Sequence, residues 1–153
     1  MIKMRDISVD DQDLEDSTRF GPAVTAGPWA MPWSLTACGL AREMVSDAFA
    51  GWGLPRNTQC VAGLLVSELV GNALRHGRPP VRLTLRRASD LRCLVSDGSP
   101  KPPQLIVAGP DDECGRGLEL VATLSARWGW DQERVGKSVW FDLRTGDDTE
   151  GTR

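Results

Sequence analysis

Between Val61 and Leu74 the chain reads as an apolar helix into which polar residues are set at one fixed interval. Val61, Leu64, Leu65, Val66, Leu69, Val70 and Leu74 form the burying set, and Glu68, Asn72 and His76 each follow the last by four positions. Four residues advance about 40° beyond a full helical turn, so the three polar groups lie along one slowly drifting stripe. A carboxylate or an amide on an apolar helix is costly to bury unless something pairs with it. The stripe therefore lines a polar cavity better than it fills a core. Glu-x-x-x-Asn suits a hydrated metal with a phosphate chain, because Mg²⁺ takes oxygen ligands, keeps several waters and needs only one or two protein groups.

Two further segments follow. Leu91-Arg-Cys-Leu-Val-Ser is a strand-like run ending in Asp97-Gly98-Ser99-Pro100. After a Pro-rich stretch, Cys114-Gly115-Arg116-Gly117-Leu118-Glu119-Leu120-Val121 opens a short apolar helix. Taken in order, these three boxes resemble the GHKL ATP-binding superfamily, which includes gyrase-type ATPases and histidine kinases. The wording "SELVGNALRHG … VSDGSP … GRGLELV … GKSVWF" is most similar to the bacterial anti-sigma-factor serine kinases, and the resemblance spans roughly residues 34–144.

With 153 residues the chain is expected to be one domain with a core that needs no disulfide or metal staple. A net charge of −3 argues against direct nucleic-acid binding, which leaves a basic footprint. No apolar run is long enough for a membrane span and the N-terminus has no signal-peptide pattern, so the expectation is a cytoplasmic protein. Cys38, Cys60, Cys93 and Cys114 form no C-x-x-C pair, and the single His76 cannot complete a zinc set. Cys114 abuts the glycine loop, where a small side chain is the plainer reading and redox sensing the minor one.

Residues 1–27 are acidic and Gly-Pro-punctuated, and are expected to form a disordered extension. Residues 28–144 hold the folded domain, and 145–153 a frayed tail. Trp29 and Trp33 flank Met31-Pro32, a short edge strand or an anchor. Ser34 caps a first helix running to about Phe49, with Leu35, Leu40, Met44, Val45 and Phe49 inward. The motif helix starts near Asn57 or Thr58 and stops at Gly77, read as a left-handed stop residue. Val81–Arg86 alternates strictly, and a turn at Ser89-Asp90 leads into Leu91–Val95, giving a hairpin. A long loop over 98–116 reads as a lid. A helix over 117–124 and a terminal hairpin of 127–131 with 138–143 complete the order. The fold class is α/β: a two-layer α/β sandwich with a mixed, mostly antiparallel sheet and helices on one face.

Glu68, one turn before Asn72, is placed to act as general base in phosphoryl transfer. The resemblance implies the same, with Glu68 acting on an incoming serine hydroxyl and Asn72 holding Mg²⁺. The plain alternative for Glu68 is a solvated helix residue or a pairing with nearby Arg75. Asp97, ending a strand, can accept a hydrogen bond from the adenine amine, a donor that guanine lacks at that position. Gly98 lets the backbone run close under a purine, although Ser99-Pro100 replaces the family's later glycines. Gly115, Arg116 and Gly117, with Leu118 behind them, offer backbone amides at a helix N-terminus as a phosphate cradle. After Gly136 the family often carries Thr in the adenine pocket. Lys137 stands there instead, leaving Ser138 as the nearest hydroxyl.

Two competing motifs fail. A dinucleotide fingerprint would need glycine where Leu120 stands, and the Gly136-Lys137-Ser138 run lacks the P-loop's first glycine, since Asp131 occupies that position. The resemblance implies an ATP- and Mg²⁺-dependent serine/threonine kinase that binds a sigma factor and phosphorylates an antagonist protein, with a homodimer left open. The rival is an ATP-binding interaction module that transfers no phosphate.

Overall fold

In the computed structural model of the chain, residues 23–103 and 117–144 are described. Strand β1 (Val24–Met31) leads into helix α1 (Thr36–Gly51), a short turn, and helix α2 (Arg56–His76). Strands β2 (Val81–Arg87) and β3 (Leu91–Asp97) form a hairpin. Helix α3 (Gly117–Leu124) precedes a second hairpin of β4 (Arg127–Gln132) and β5 (Lys137–Leu143). Strand β1 thus begins at Val24, inside the segment expected to be an extension; residues 1–22 of that segment and the tail lie outside the described residues.

The strands lie in the order β1-β2-β3-β5-β4, and every pairing among the described residues is antiparallel. The expected two-layer α/β arrangement with a mostly antiparallel sheet is thus present. Alternation decides its faces. Leu83, Leu85, Leu91, Cys93, Val95, Val139, Phe141 and Leu143 are buried in one continuous core with residues of the helices. Helix α2 lies on β2, β3 and β5, with α1 packed on its one side and α3 on its other. On the opposite side of the sheet Asp142 accepts bonds from Arg92 at 2.7 and 2.9 Å and from Arg127 at 2.9 Å. The Arg92 guanidinium also stacks over Trp140, 4.0 Å from the ring centre.

The two long helices form a hairpin. The Ser34 hydroxyl accepts the Thr36 N–H at 3.1 Å at the entry of α1. Near the turn Gln59 donates to the Leu54 carbonyl at 3.0 Å and accepts from Ser46 at 3.3 Å, tying the start of α2 to the end of α1. The inward stripe of α1 is Ala37, Ala41, Val45 and Phe49. Leu35, expected inside, is 76% exposed, and Leu40 and Leu64 face solvent to about the extent of ordinary surface residues. Small residues take the inward positions because the helices approach closely. A Cβ on Gly63 would lie 3.4 Å from Arg42 Cγ, and one on Gly71 3.7 Å from the Cys38 sulfur.

Candidate functional site

The polar stripe of helix α2 is deepest at its middle residue. Glu68 is half-buried, Asn72 is buried, and His76 at the last turn is exposed. The apolar neighbours that fix this rotation are Leu65, Val66, Leu69, Val70 and Ala73, all turned into the core. Helix α1 adds two groups that the sequence does not place near Glu68. Burial pushes the Cys38 thiol up; the Arg42 guanidinium opposes that, the Glu68 carboxylate adds to it, and Arg75 opposes it. Cys38, Arg42, Glu68 and Arg75 therefore share one electrostatic neighbourhood where α1 meets α2. Bare Gly71 admits them, since a Cβ there would come 3.3 Å from the Arg75 guanidinium.

The end of α2 meets the end of β3. Gly77 is extended, with φ −99° and ψ −157°, so the left-handed stop expected there does not form. Its glycine is required for another reason. A Cβ at Gly77 would sit 2.4 Å from the carboxyl carbon of Asp97. The carboxylate is thus pressed against the backbone where the helix ends. Gly98 donates its N–H to the Arg78 carbonyl at 2.7 Å, and a Cβ there would lie 2.5 Å from the Pro79 carbonyl oxygen. Its close approach is therefore to the segment leaving α2.

Asp97 is paired. Its cross-strand partner on β5 is Lys137, and both side chains are 3% exposed. The ammonium lies 3.2 Å from Oδ1 and 3.1 Å from Oδ2, and 3.4 Å from the Ser99 carbonyl oxygen. The Ser99 N–H also donates to Oδ1 at 2.7 Å. Gly136 precedes the lysine with φ +90°, and a Cβ there would run into the Asp97 carbonyl, so only glycine lets the β4–β5 turn close over the strand end. Lys137 shares the face of Asp97, whereas the neighbouring Ser138 hydroxyl is bonded to Glu133. The hydroxyl expected near Asp97 is engaged elsewhere, and a cation occupies that neighbourhood.

Of the phosphate cradle, Gly115 and Arg116 lie outside the described residues, as do Cys114 and most of the expected lid. Gly117 is the first residue of α3, and Leu118 is buried in the core. Among the described residues no three His, Cys, Asp or Glu side chains converge to hold a metal ion. A cation at Asn72 would take its remaining ligands from phosphate oxygens and water, which is the habit of Mg²⁺. The amide oxygen of Asn72 and the buried carboxylate of Asp97 fit an oxygen-ligated cation and a base amine respectively. No helix among the described residues is long and apolar enough to cross a membrane.

Comparison with known proteins adds to this geometry. The profile of the histidine kinase-like ATPase domain family matches residues 31–143. An uncharacterized protein of Streptomyces coelicolor, SCO4941, is 37% identical over 76 residues, which cover 42% of this chain and 72% of that protein. A crystal structure of the RsbU and RsbW domains of Rv1364c from Mycobacterium tuberculosis superposes with a TM-score of 0.59 at 16% identity. It covers 82% of this chain, which spans only 33% of that one. At that identity the likeness concerns the fold.

Proposed function

This chain belongs to the histidine kinase-like ATPase domain family, and from that premise we propose that it is an ATP- and Mg²⁺-dependent serine/threonine kinase of the anti-sigma-factor type. ATP binding follows from membership of an ATPase domain family. The kinase step, the metal and the partners are the proposal. In this reading a sigma factor is the bound partner, and a small antagonist protein receives the phosphate on Ser or Thr. The wording of the three sequence boxes supports it, as does a fold shared with a chain carrying an RsbW domain.

The observation that carries the reading is the pairing of half-buried Glu68 with buried Asn72 one turn later, on the helix whose end abuts Asp97. Asn72 would hold the cation, which supplies charge neutralisation to the phosphates when bound. Glu68 would orient the incoming hydroxyl and accept its proton. Asp97 would accept from the adenine amine, and the amides of Gly115 to Gly117 would face the phosphates. His76, exposed at the helix end, has no task here. Incubating the chain with labelled ATP and candidate antagonist proteins tests the proposal: label on an antagonist Ser or Thr is the expected result. ATP bound with no label transferred to any antagonist would replace the kinase with the ATP-dependent interaction module.

A further inference from the structure

The Asp97 carboxylate is enclosed on every side the structure describes. The Ser99 N–H takes one lone pair of Oδ1, the Lys137 ammonium spans both oxygens, and the Gly77 backbone closes the helix side. A carboxylate offers about four acceptor sites, and a cation holds its share more tightly than a neutral amine would. An adenine amine approaching Asp97 therefore meets a carboxylate that already shares its charge, through both oxygens, with an ammonium. The lysine has its own reasons to stay, since the pair is buried and the Ser99 carbonyl takes a further proton at 3.4 Å. Removing an ammonium from its counter-ion in such a place is unfavourable.

We propose that Lys137 is a specificity-determining residue, an internal competitor that occupies the base-reading carboxylate and sets how strongly this chain discriminates nucleotide bases. The inference rests on the reading of Asp97 as the adenine acceptor. The ammonium draws on both carboxylate oxygens before the amine arrives, so the net gain from the adenine amine is small in the native chain. Replacing Lys137 by a neutral residue frees the acceptor and restores the gain. The two strands hold the competitor in place, since the Asp97–Lys137 register is the last rung of the β3–β5 ladder.

The test uses the full chain and calorimetry with three probes in Mg²⁺: ATP, purine riboside triphosphate (which lacks the 6-amino group) and inorganic tripolyphosphate. Native protein is expected to prefer ATP over purine riboside triphosphate by less than about threefold, and Lys137→Met by about tenfold, the difference between a charged and a neutral hydrogen-bond partner. Tripolyphosphate affinity should be the same in both, because the lysine acts on the base alone. Lys137→Thr serves in the same role should the methionine variant not fold. A native chain that already prefers ATP by tenfold or more overturns the competition while leaving Asp97 as base reader. Variants with no preference at all remove Asp97 from the base site, and the inference falls with it. Absence of ATP binding in native and variant chains alike would overturn the nucleotide reading itself.

Discussion

Glu68 and Asn72 stand one turn apart on α2, and the proposed kinase gives them different tasks that variants separate. Glu68→Ala should leave ATP affinity within a few-fold of native, because the proposed base acts on the incoming hydroxyl and not on the nucleotide. Phosphate transfer to an antagonist should fall by about 10²–10⁴, the usual worth of a positioned base. A fully active Glu68→Ala on an antagonist that the native chain phosphorylates would end the base assignment. The cysteines give a second test at this scale. Cys93 is wholly buried and burial, aided by Asp142, pushes its thiol far up from the ordinary 9.0, whereas Cys60 is exposed. Near neutral pH an alkylating reagent should label Cys60 promptly and Cys93 only on unfolding. The sign of the pH effect follows. Folding favours the neutral thiol, so its contribution is intact below pH 9 and is lost as pH rises further, where only the unfolded thiol ionises. Above pH 9 native stability should decline faster than that of Cys93→Val, the difference approaching about 1.4 kcal/mol per pH unit once the unfolded thiol is fully ionised. Parallel urea midpoints for the two chains would contradict the buried thiol.

At the scale of elements, physical regularity decided what could be read beforehand. The strict alternation of Val81–Arg86 announced β2 to within one residue, because every second side chain had to reach the core. The helix of 117–124 was equally plain from its apolar run. Helix α1 was not, since hydrophobic weight favours Leu35 and Leu40, while close packing on α2 selects Ala37 and Ala41 for the buried stripe. Methyl groups carry little signal in a sequence but permit helix axes to approach. The stability consequence is measurable. Phe49→Ala, which empties a fully buried ring position, should cost about 3–5 kcal/mol. Leu35→Ala should stay within about 0.5 kcal/mol of native. Comparable losses in chemical denaturation would return Leu35 to the core. The site divides in the same way. Glu68 and Asn72 were legible because both sit on one helix at one spacing. Their neighbours Cys38 and Arg42 come from another helix, and the bond of Lys137 to Asp97 depends on a cross-strand register joining residues 40 apart in sequence, so local pattern carries neither.

For the whole molecule, the arrangement places one group of the proposed site on the helical layer and another on the sheet. Asn72 belongs to α2, and Asp97 ends β3 beneath the close of that helix. A ligand reaching both ties the layers together, so its binding should register as global stability rather than as local ordering. A ligand that binds only the folded chain adds about 2.7 kcal/mol at a hundredfold excess over Kd. For a chain of this length that corresponds to a rise in Tm of about 5–11 °C. The dependence on metal then tests Asn72 without reference to catalysis. In native protein the rise with ATP should be largest with Mg²⁺ and should shrink when EDTA is added. Asn72→Ala should show the same small rise with and without EDTA, because the group that would hold the cation is gone. Its melting temperature in the absence of nucleotide provides the baseline, so a general loss of stability cannot imitate the effect. An Asn72→Ala chain that kept the full Mg²⁺-dependent increment would detach the metal from α2, and the division of labour along that helix would have to be abandoned.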